Sequence, residues 1–400
     1  MTPWLTVLGI GEDGLDPLGR AIVESAEFLV GGKRHLALAA TGPAERTTWQ
    51  RPLSRTLDVI LARRPRPTVV LATGDPMWFG IGTSLARSVP AEEMRIVPAV
   101  GAFSLAAARL AWPLDNVAAL SLHGRPLGLL ALHVAPGARL LVLSHDGGTP
   151  SRVADWLVRH GYGASLMTAL AHMGGPLEAR IEERADCWTA EVPDLNTLAV
   201  ECVAGADARV FSRAPGLPDD FFEHDGMLTK AHIRAATLAL LAPTGGAHLW
   251  DIGAGSGAVS IEWIRAGGTA SAVEPVAARR AAIARNAEGL GAPGLEIHGG
   301  HAPEALEGLP APDAVFIGGG LGVEGILEAA WEALRPNGRI VANAVTLESK
   351  ARLVRARSEL GGDLYRVSVE TAAPVGRFTA FRPAMAVTQW TARKPWPAAS

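Results

Sequence analysis

The feature that most constrains this chain is the run Asp251-Ile252-Gly253-Ala254-Gly255-Ser256-Gly257. An apolar strand pattern, His248–Ile252, precedes it and a helical pattern, Ala258–Ala266, follows. Glycines there let the backbone turn tightly and approach a ligand, and the opening helix offers free N–H groups. A dinucleotide site would space its glycines G-x-G-x-x-G. This chain has G-x-G-x-G, with an aspartate two residues before the first glycine. Glu274 closes the next strand pattern, in Ala272-Val273-Glu274-Pro275, where an acidic side chain can accept both hydroxyls of a ribose. An ordinary strand–helix turn with an incidental glutamate would explain each half of this pattern alone, but not the combination.

The surrounding periodicity implies an α/β chain in two blocks. In the first block Trp4–Gly9, Thr68–Ala72, Arg139–Ser144, Ala164–Leu170 and Asn196–Cys202 read as strands. They alternate with helices over Leu18–Ala26, Ile81–Ser88, Ser104–Ala111 and Ser151–His160. In the second, a helix with Thr229 as N-cap leads into strand and helix patterns as far as Arg339–Val345, a doubly wound parallel sheet. The expected division is 1–205, a linker or ordered entry loop over 206–226 that holds Pro215, Gly216 and Pro218, and 227–400. Trp112, Trp156, Trp263 and Trp331 fall in helical patterns and are expected in the core.

With 400 residues, 48% of them apolar, the chain can bury large cores without staples. Its two cysteines, Cys187 and Cys202, exclude a disulfide scaffold and lack the spacing of a metal site. A net charge of −3 argues against nucleic-acid binding by bulk electrostatics. There is no run of about 20 apolar residues to span a membrane. The start of the chain lacks a basic signal-peptide region, so a cytoplasmic protein with reduced thiols is expected. Only four of the 37 basic residues are lysines. A GC-rich genome explains that bias, though the arginine fork would also suit a polycarboxylate ligand.

The motifs of the second block resemble the class I S-adenosylmethionine-dependent methyltransferases. Narrower still, Pro218-Asp219-Asp220-Phe221-Phe222, Met227-Leu228-Thr229-Lys230, Asp251–Gly257, Phe316-Ile317-Gly318-Gly319 and Asn343–Glu348 are similar to the decarboxylating precorrin methyltransferases of cobalamin biosynthesis. The resemblance implies a Rossmann-like fold and a cofactor site formed by Thr229, Asp251, Gly253, Ala254, Gly255, Ser256, Gly257, Glu274 and Ala302. Asn343-Ala344-Val345-Thr346 is not the N-P-P-Y of amino-methylating nucleic-acid enzymes.

The first block carries Gly9-Ile10-Gly11, Gly31-Gly32-Lys33-Arg34-His35, Gly74-Asp75-Pro76, Ser121-Leu122-His123-Gly124-Arg125-Pro126 and His145–Pro150. In that order they resemble the tetrapyrrole methylases, most of all the precorrin carbon-5 branch. The resemblance implies a different fold of two α/β sub-domains, with a second S-adenosylmethionine held by Gly9, Gly11, Gly74, Asp75 and Pro76. Two departures stand out. Pro98-Ala99-Val100-Gly101-Ala102 replaces the usual P-G-V-S-S, and Ala171 stands where a glutamate commonly precedes the Gly-Gly-Pro segment.

Together the resemblances imply methylation of a precorrin at carbons 5 and 15, with loss of carbon dioxide from the ring C acetate. The first block would take carbon 5 and the second carbon 15 and the decarboxylation. Candidates for gripping the carboxylates of a tetrapyrrole are His123, Arg125, Lys230 and Arg234, the last two a helical turn apart. No catalytic acid–base cluster stands out, and the chemistry asks little of side chains, because a methyl sulfonium is already electrophilic and a reduced macrocycle is nucleophilic at carbon. Decarboxylation needs an electron sink. No lysine motif or metal-ligand cluster offers one, so the ring imines are expected to serve, with no metal bound. His298 and His301, three apart in a glycine-rich loop, are expected to be structural. A homo-oligomer is expected. The alternatives are a methyltransferase for RNA or another small molecule, and a tetrapyrrole-carrying scaffold with one inactive domain.

Overall fold

A computed structural model describes residues 3–39 and 42–397. The chain divides into two compact units, one of Met1–Arg125 and Ala135–Arg209, the other of Pro126–Val134 and Val210–Ser400.

The first unit holds two sheets. One consists of β1 (Leu5–Ile10), β2 (Phe28–Gly31), β3 (Glu45–Thr48), β4 (Thr68–Thr73) and β5 (Met94–Val97), all parallel, in the order β3-β2-β4-β1-β5. β1 and β4 are nearly continuous apolar runs, as strands covered on both faces must be. Separate clusters pack on the two faces, one around Trp4, Phe28 and Ile60, the other around Ile10, Ile22 and Leu29. From β1 the chain crosses one way to β2, and from β4 it crosses the other way to β5. The carboxyl ends of β1 and β4 therefore flank a topological switch point, where open α/β sheets leave a crevice.

The second sheet contains β6 (Ala118–Ser121), β7 (Arg139–Leu143), β8 (Leu166–Ala171), β9 (Ala179–Arg184) and β10 (Asn196–Glu201), in the order β6-β7-β10-β8-β9. It is antiparallel except between β6 and β7. The five strands expected in this block are present within two residues at each end. β2, β3, β5, β6 and β9 were not foreseen. Four of them have only four residues, too few to display a period, and β9 alternates charged residues on an exposed edge.

The second unit is built on one sheet with the order β13-β12-β11-β14-β15-β19-β16. β11 (His248–Ile252), β12 (Thr269–Val273), β13 (Glu296–His298), β14 (Ala314–Ile317) and β15 (Arg339–Ala344) are parallel, as expected. β16 (Asp363–Val367) and β19 (Val387–Arg393) then extend the sheet antiparallel. β17 (Glu370–Val375) and β18 (Phe378–Pro383) form a separate, exposed hairpin. The sheet is thus mixed rather than wholly parallel. Of the four tryptophans assigned to the core, Trp112, Trp156 and Trp263 are buried and Trp331 packs half-buried on the cluster around Trp390.

Two segments depart from the expected division. The 206–226 stretch is packed, with Leu217 and Phe222 buried. Residues 126–134, expected within the first block, belong with the second unit. Gly128 lies so close to the Glu288 carbonyl that a Cβ there would come within 1.6 Å of it. Arg265 ties these pieces together. Its buried guanidinium donates to the carbonyls of Ala131, Leu290, Phe211 (3.1 Å) and Ser212 (2.9 Å). Burial pulls its pKa down to about 10, which leaves it charged at neutral pH.

Arg265→Met keeps the apolar stem but strands the buried acceptors of Ala131, Leu290 and Phe211. The expected loss is about 3 kcal/mol, read from urea unfolding of the full chain. A loss below about 1 kcal/mol would show that water replaces the guanidinium.

Candidate functional site

In the first unit the loops after β1 and β4 meet at the switch point. Gly9 is in backbone-to-backbone contact there: a Cβ would lie 2.0 Å from the Gly74 carbonyl and 2.4 Å from the Ala99 nitrogen. The Ala99 N–H donates to that same carbonyl at 3.1 Å. Gly74 has φ +57°, and a Cβ on it would sit 2.9 Å from the Gly101 Cα. The Asp75 carboxylate accepts from the Met77 N–H at 2.8 Å and so fixes the Gly74-Asp75-Pro76 turn. Gly11 follows β1, and a Cβ on it would meet only the Asp13 carboxylate, which can turn aside. Gly9, Gly74 and Asp75 are thus brought together where β1 and β4 end, with Gly11 and Pro76 next to them in sequence. At Gly101, where the usual motif has serine, a Cβ would make only ordinary contact with Asp75, so sterics do not force that departure.

His123 and Arg125 are exposed at this crevice. The His123 ring lies 5.1 Å from that of His145, and the Arg125 guanidinium sits 4.8 Å over the Phe79 ring. Phe79 follows the Gly74–Pro76 turn and packs edge-on against Trp78 and Phe103.

A second group in the crevice was not singled out from sequence. Glu12, the residue after Gly11, pairs with Arg34 through one carboxylate oxygen and accepts from His172 Nδ1 at 3.1 Å through the other. Arg34 donates to His35 Nε2 at 2.9 Å, and Thr73 meets the same nitrogen at 3.0 Å. Burial first and then the Arg34 charge pull His35 down to about 4, so it is neutral. The available signal was adjacency, since Glu12, Arg34, His35 and His172 each lie beside a quoted glycine motif. Only the fold reveals that those motifs converge.

In the second unit Gly253, Gly255 and Gly257 all have positive φ. A Cβ on Gly253 would strike the Gly319 backbone at 2.8 Å, one on Gly255 the Met227 carbonyl at 2.7 Å, and one on Gly257 the Ile283 side chain at 2.8 Å. The loop is thus hemmed in by Gly319, Met227 and Ile283. Ala254 and Ser256 complete it. Glu274 is buried and accepts from the Gly255 and Val276 N–H groups, one on each oxygen, at 2.9 and 3.1 Å. Each oxygen keeps a lone pair for a hydroxyl. Asp251 is buried, with Oδ2 accepting from the Ser260 N–H and hydroxyl, while Oδ1 has no partner. The Ser256 hydroxyl is likewise buried and unpartnered. Two orphaned polar atoms beside a glycine cradle fit a polar cofactor. Ala302 lies in the apolar cluster with Ile317 and Ile326.

The expectations for the helix Ala231–Leu241 need correction. Its N-cap is Lys230 rather than Thr229, and the first free N–H, on Ala231, is met by the Asp219 carboxylate at 2.9 Å. Thr229 is half-buried, and its carbonyl accepts from Arg234. Arg234 cannot grip a substrate carboxylate. Its side chain is fully buried and pairs with Glu262 at 2.6 Å and Asp219 at 3.3 Å, and it also donates to the carbonyls of Thr229 and Leu217. Lys230 remains exposed, 3.5 Å from Asp219. His298 lies 3.8 Å from Glu296 and His301 is exposed. Among the described residues no group of three or more His, Cys, Asp or Glu is arranged to hold a metal. Nor is any described helix long and apolar enough to cross a membrane.

Known proteins align with both units. Residues 6–185 match the tetrapyrrole (corrin/porphyrin) methylases, and residues 220–394 match the precorrin methyltransferase domain. The chain is 47% identical to a precorrin-6Y C(5,15)-methyltransferase [decarboxylating] of Sinorhizobium sp, over 98% of this chain and 96% of that protein. It is 34% identical to a cobalt-precorrin-7 C(5)-methyltransferase of Salmonella typhimurium, over 41% of this chain and 82% of that protein. It is 40% identical to a probable cobalt-precorrin-6B C(15)-methyltransferase (decarboxylating) of Pyrobaculum calidifontis, over 41% of this chain and 89% of that protein. The chain belongs to the family of decarboxylating precorrin C(5,15)-methyltransferases, with a tetrapyrrole-methylase unit followed by a Rossmann-like methyltransferase unit.

Two measurements check the second unit. Arg234→Met leaves Glu262 buried without its partner and should cost about 3–5 kcal/mol in urea unfolding, whereas Lys230→Met should cost less than about 1 kcal/mol. Equal losses would contradict the buried pair. Burial above all, and then the Glu274 charge, raise the Asp251 pKa to about 6, from an ordinary 3.8. Between those values the folded chain holds a proton that the unfolded chain has released. This stabilisation is complete below about pH 4 and fades as pH rises through 6, by up to about 1.4 kcal/mol per pH unit. The stability difference between wild type and Asp251→Asn should follow that slope. A flat difference would mean that Asp251 is ionised throughout.

Proposed function

We propose that the chain methylates precorrin-6B (the precorrin-6Y of the relatives' names) at carbons 5 and 15 with S-adenosylmethionine. On this reading it also removes the ring C acetate carboxyl as carbon dioxide, giving precorrin-8 in cobalamin biosynthesis. The observation that carries the reading is the pairing of two unlike glycine cradles in one chain whose full-length relative is named for both carbons. Separate relatives named for carbon 5 and carbon 15 each cover about two-fifths of it, in keeping with two independent sites.

Two cofactors bind per chain, one at Gly9, Gly11, Gly74, Asp75 and Pro76, the other at Thr229, Asp251, Gly253–Gly257, Glu274 and Ala302. The first unit serves carbon 5, and the second serves carbon 15 and the decarboxylation. The bound cofactor supplies an electrophilic methyl group. The protein's part is to hold it, exclude water and align the ring. Glu274 and the Asp251 Oδ1 offer acceptors to the cofactor's polar groups. Arg125, with His123 and His145 beside it, offers positive charge to ring carboxylates next to an aromatic face. Lys230 offers a further cation at the second cradle. Self-association is supported by the exposed β17–β18 hairpin, where Phe378 and Phe381 are 67% and 71% exposed. A cytoplasmic location is supported by the two unpaired thiols.

Titration calorimetry with S-adenosylhomocysteine should give two equivalents per chain. Gly255→Arg should remove one equivalent and abolish carbon-15 methylation. Gly74→Arg should remove the other and leave a decarboxylated, singly methylated product by mass spectrometry. One equivalent in the wild type, or loss of both methylations from Gly74→Arg in a folded protein with its second site loaded, would contradict this division.

A further inference from the structure

Methylation at a ring carbon releases a proton, and nothing described so far accepts it. Carbon 5 gains a bond to the methyl carbon, the sulfur–carbon bond breaks with its electron pair going to sulfur, and the ring is left with one extra positive charge. A proton must then leave the ring. Neutral S-adenosylhomocysteine and a methylated ring remain. We propose that His172 Nε2 is the general base that takes this proton, with Glu12 and Arg34 as its positioning residues. The proposal rests on the reading that the first unit methylates carbon 5.

Three features of the structure converge on His172. Its Nδ1 donates to Glu12 at 3.1 Å, which leaves Nε2 as the basic nitrogen. No described residue hydrogen-bonds that nitrogen, and the side chain keeps 23% exposure. A carboxylate on one ring nitrogen and a free lone pair on the other is the arrangement by which an imidazole is held in one tautomer for proton transfer. Arg34 pairs with the other Glu12 oxygen, so the carboxylate is held from both sides.

The second feature is strain. His172 has φ +48°, a conformation that costs a side-chain-bearing residue energy and that clusters at functional sites. The third is location. Glu12 directly follows the Gly9–Gly11 loop, and a Cβ on Gly175, just beyond His172, would lie 2.9 Å from the Glu12 Cβ. Thr73, which touches Arg34 and His35, precedes the Gly74–Pro76 turn. The contact thus joins the ends of β1 and β8, from the two sheets of this unit. The groups that set the charge around His172 are Glu12, then Arg34 and neutral His35 behind it. Glu178, on the turn after β8, is tied to Arg109 and to the Gly174 N–H.

His172→Asn is the informative variant, because asparagine tolerates a positive φ. Carbon-5 methylation should fall at least about 100-fold. Carbon-15 methylation, decarboxylation and the two-equivalent binding of S-adenosylhomocysteine should persist. In Glu12→Gln the carboxylate no longer favours the imidazolium. The pH–rate profile of carbon-5 methylation should move to lower pH on its acid side, with that of carbon-15 methylation unchanged. Should His172→Asn not fold, Glu12→Gln decides alone. Carbon-5 methylation within threefold of wild type in His172→Asn would overturn the proposal. So would loss of one cofactor equivalent in that variant, or a Glu12→Gln pH–rate profile for carbon 5 that matches the wild type's. A wild type that places no methyl on carbon 5 would instead defeat the functional reading.

Discussion

The second cradle depends on one buried ion pair. Glu262 and Arg234 sit on neighbouring helices with almost no exposure, and both carboxylate oxygens are used. One accepts from Arg234 and the Leu217 N–H, the other from the Gly216 N–H. The pair thereby fastens the entering chain to the helix that opens from the glycine loop. Arg234 extends the fastening to Asp219 and the Thr229 carbonyl, two residues beyond Met227, whose carbonyl abuts Gly255. Asn286 adds a second clasp, exchanging hydrogen bonds with the Glu223 backbone and donating to the Ser256 carbonyl. A buried pair of this kind adds little net stability over apolar packing. It does make one arrangement of the entry segment far better than its competitors, because either charge alone would be costly.

That arrangement explains why some site residues were legible in the sequence and others were misread. Gly253, Gly255, Gly257 and Glu274 follow from local chemistry, since a strand, a tight turn and a helix start are all contiguous. Arg234 was misread because helical spacing from Lys230 says which face it shares, but not whether that face meets solvent or Glu262, 28 residues away. Glu12 and His172 were passed over for the same reason, with 160 residues between them. Short strands such as Phe28–Gly31 carry no readable period. The β17–β18 hairpin has no buried face to imprint an alternation.

The two cradles solve similar problems with different physics. In the second unit each glycine has positive φ, so the backbone itself is bent into a pocket with unpartnered Asp251 and Ser256 atoms facing it. In the first unit the tightest glycine, Gly9, serves loop-to-loop packing. The polar groups there stand apart on Glu12, Arg34 and His172. The first site carries its charge on the Glu12–Arg34 pair, and the second on the buried carboxylates of Asp251 and Glu274.

The excursion of residues 126–134 bears on how the molecule is made. The first unit is discontinuous in sequence, since its chain passes Leu130 and Ala131 to the other unit before returning for β7. During synthesis those residues emerge long before Arg265 and Glu288, the groups they will meet. Until then a small apolar stretch waits uncovered on a unit that is otherwise able to close. A gene split at the 206–226 stretch would therefore not be neutral. The second product would lack a carbonyl acceptor for Arg265 and carry a bare patch where Gly128 belongs, and new side chains would be needed to cover it.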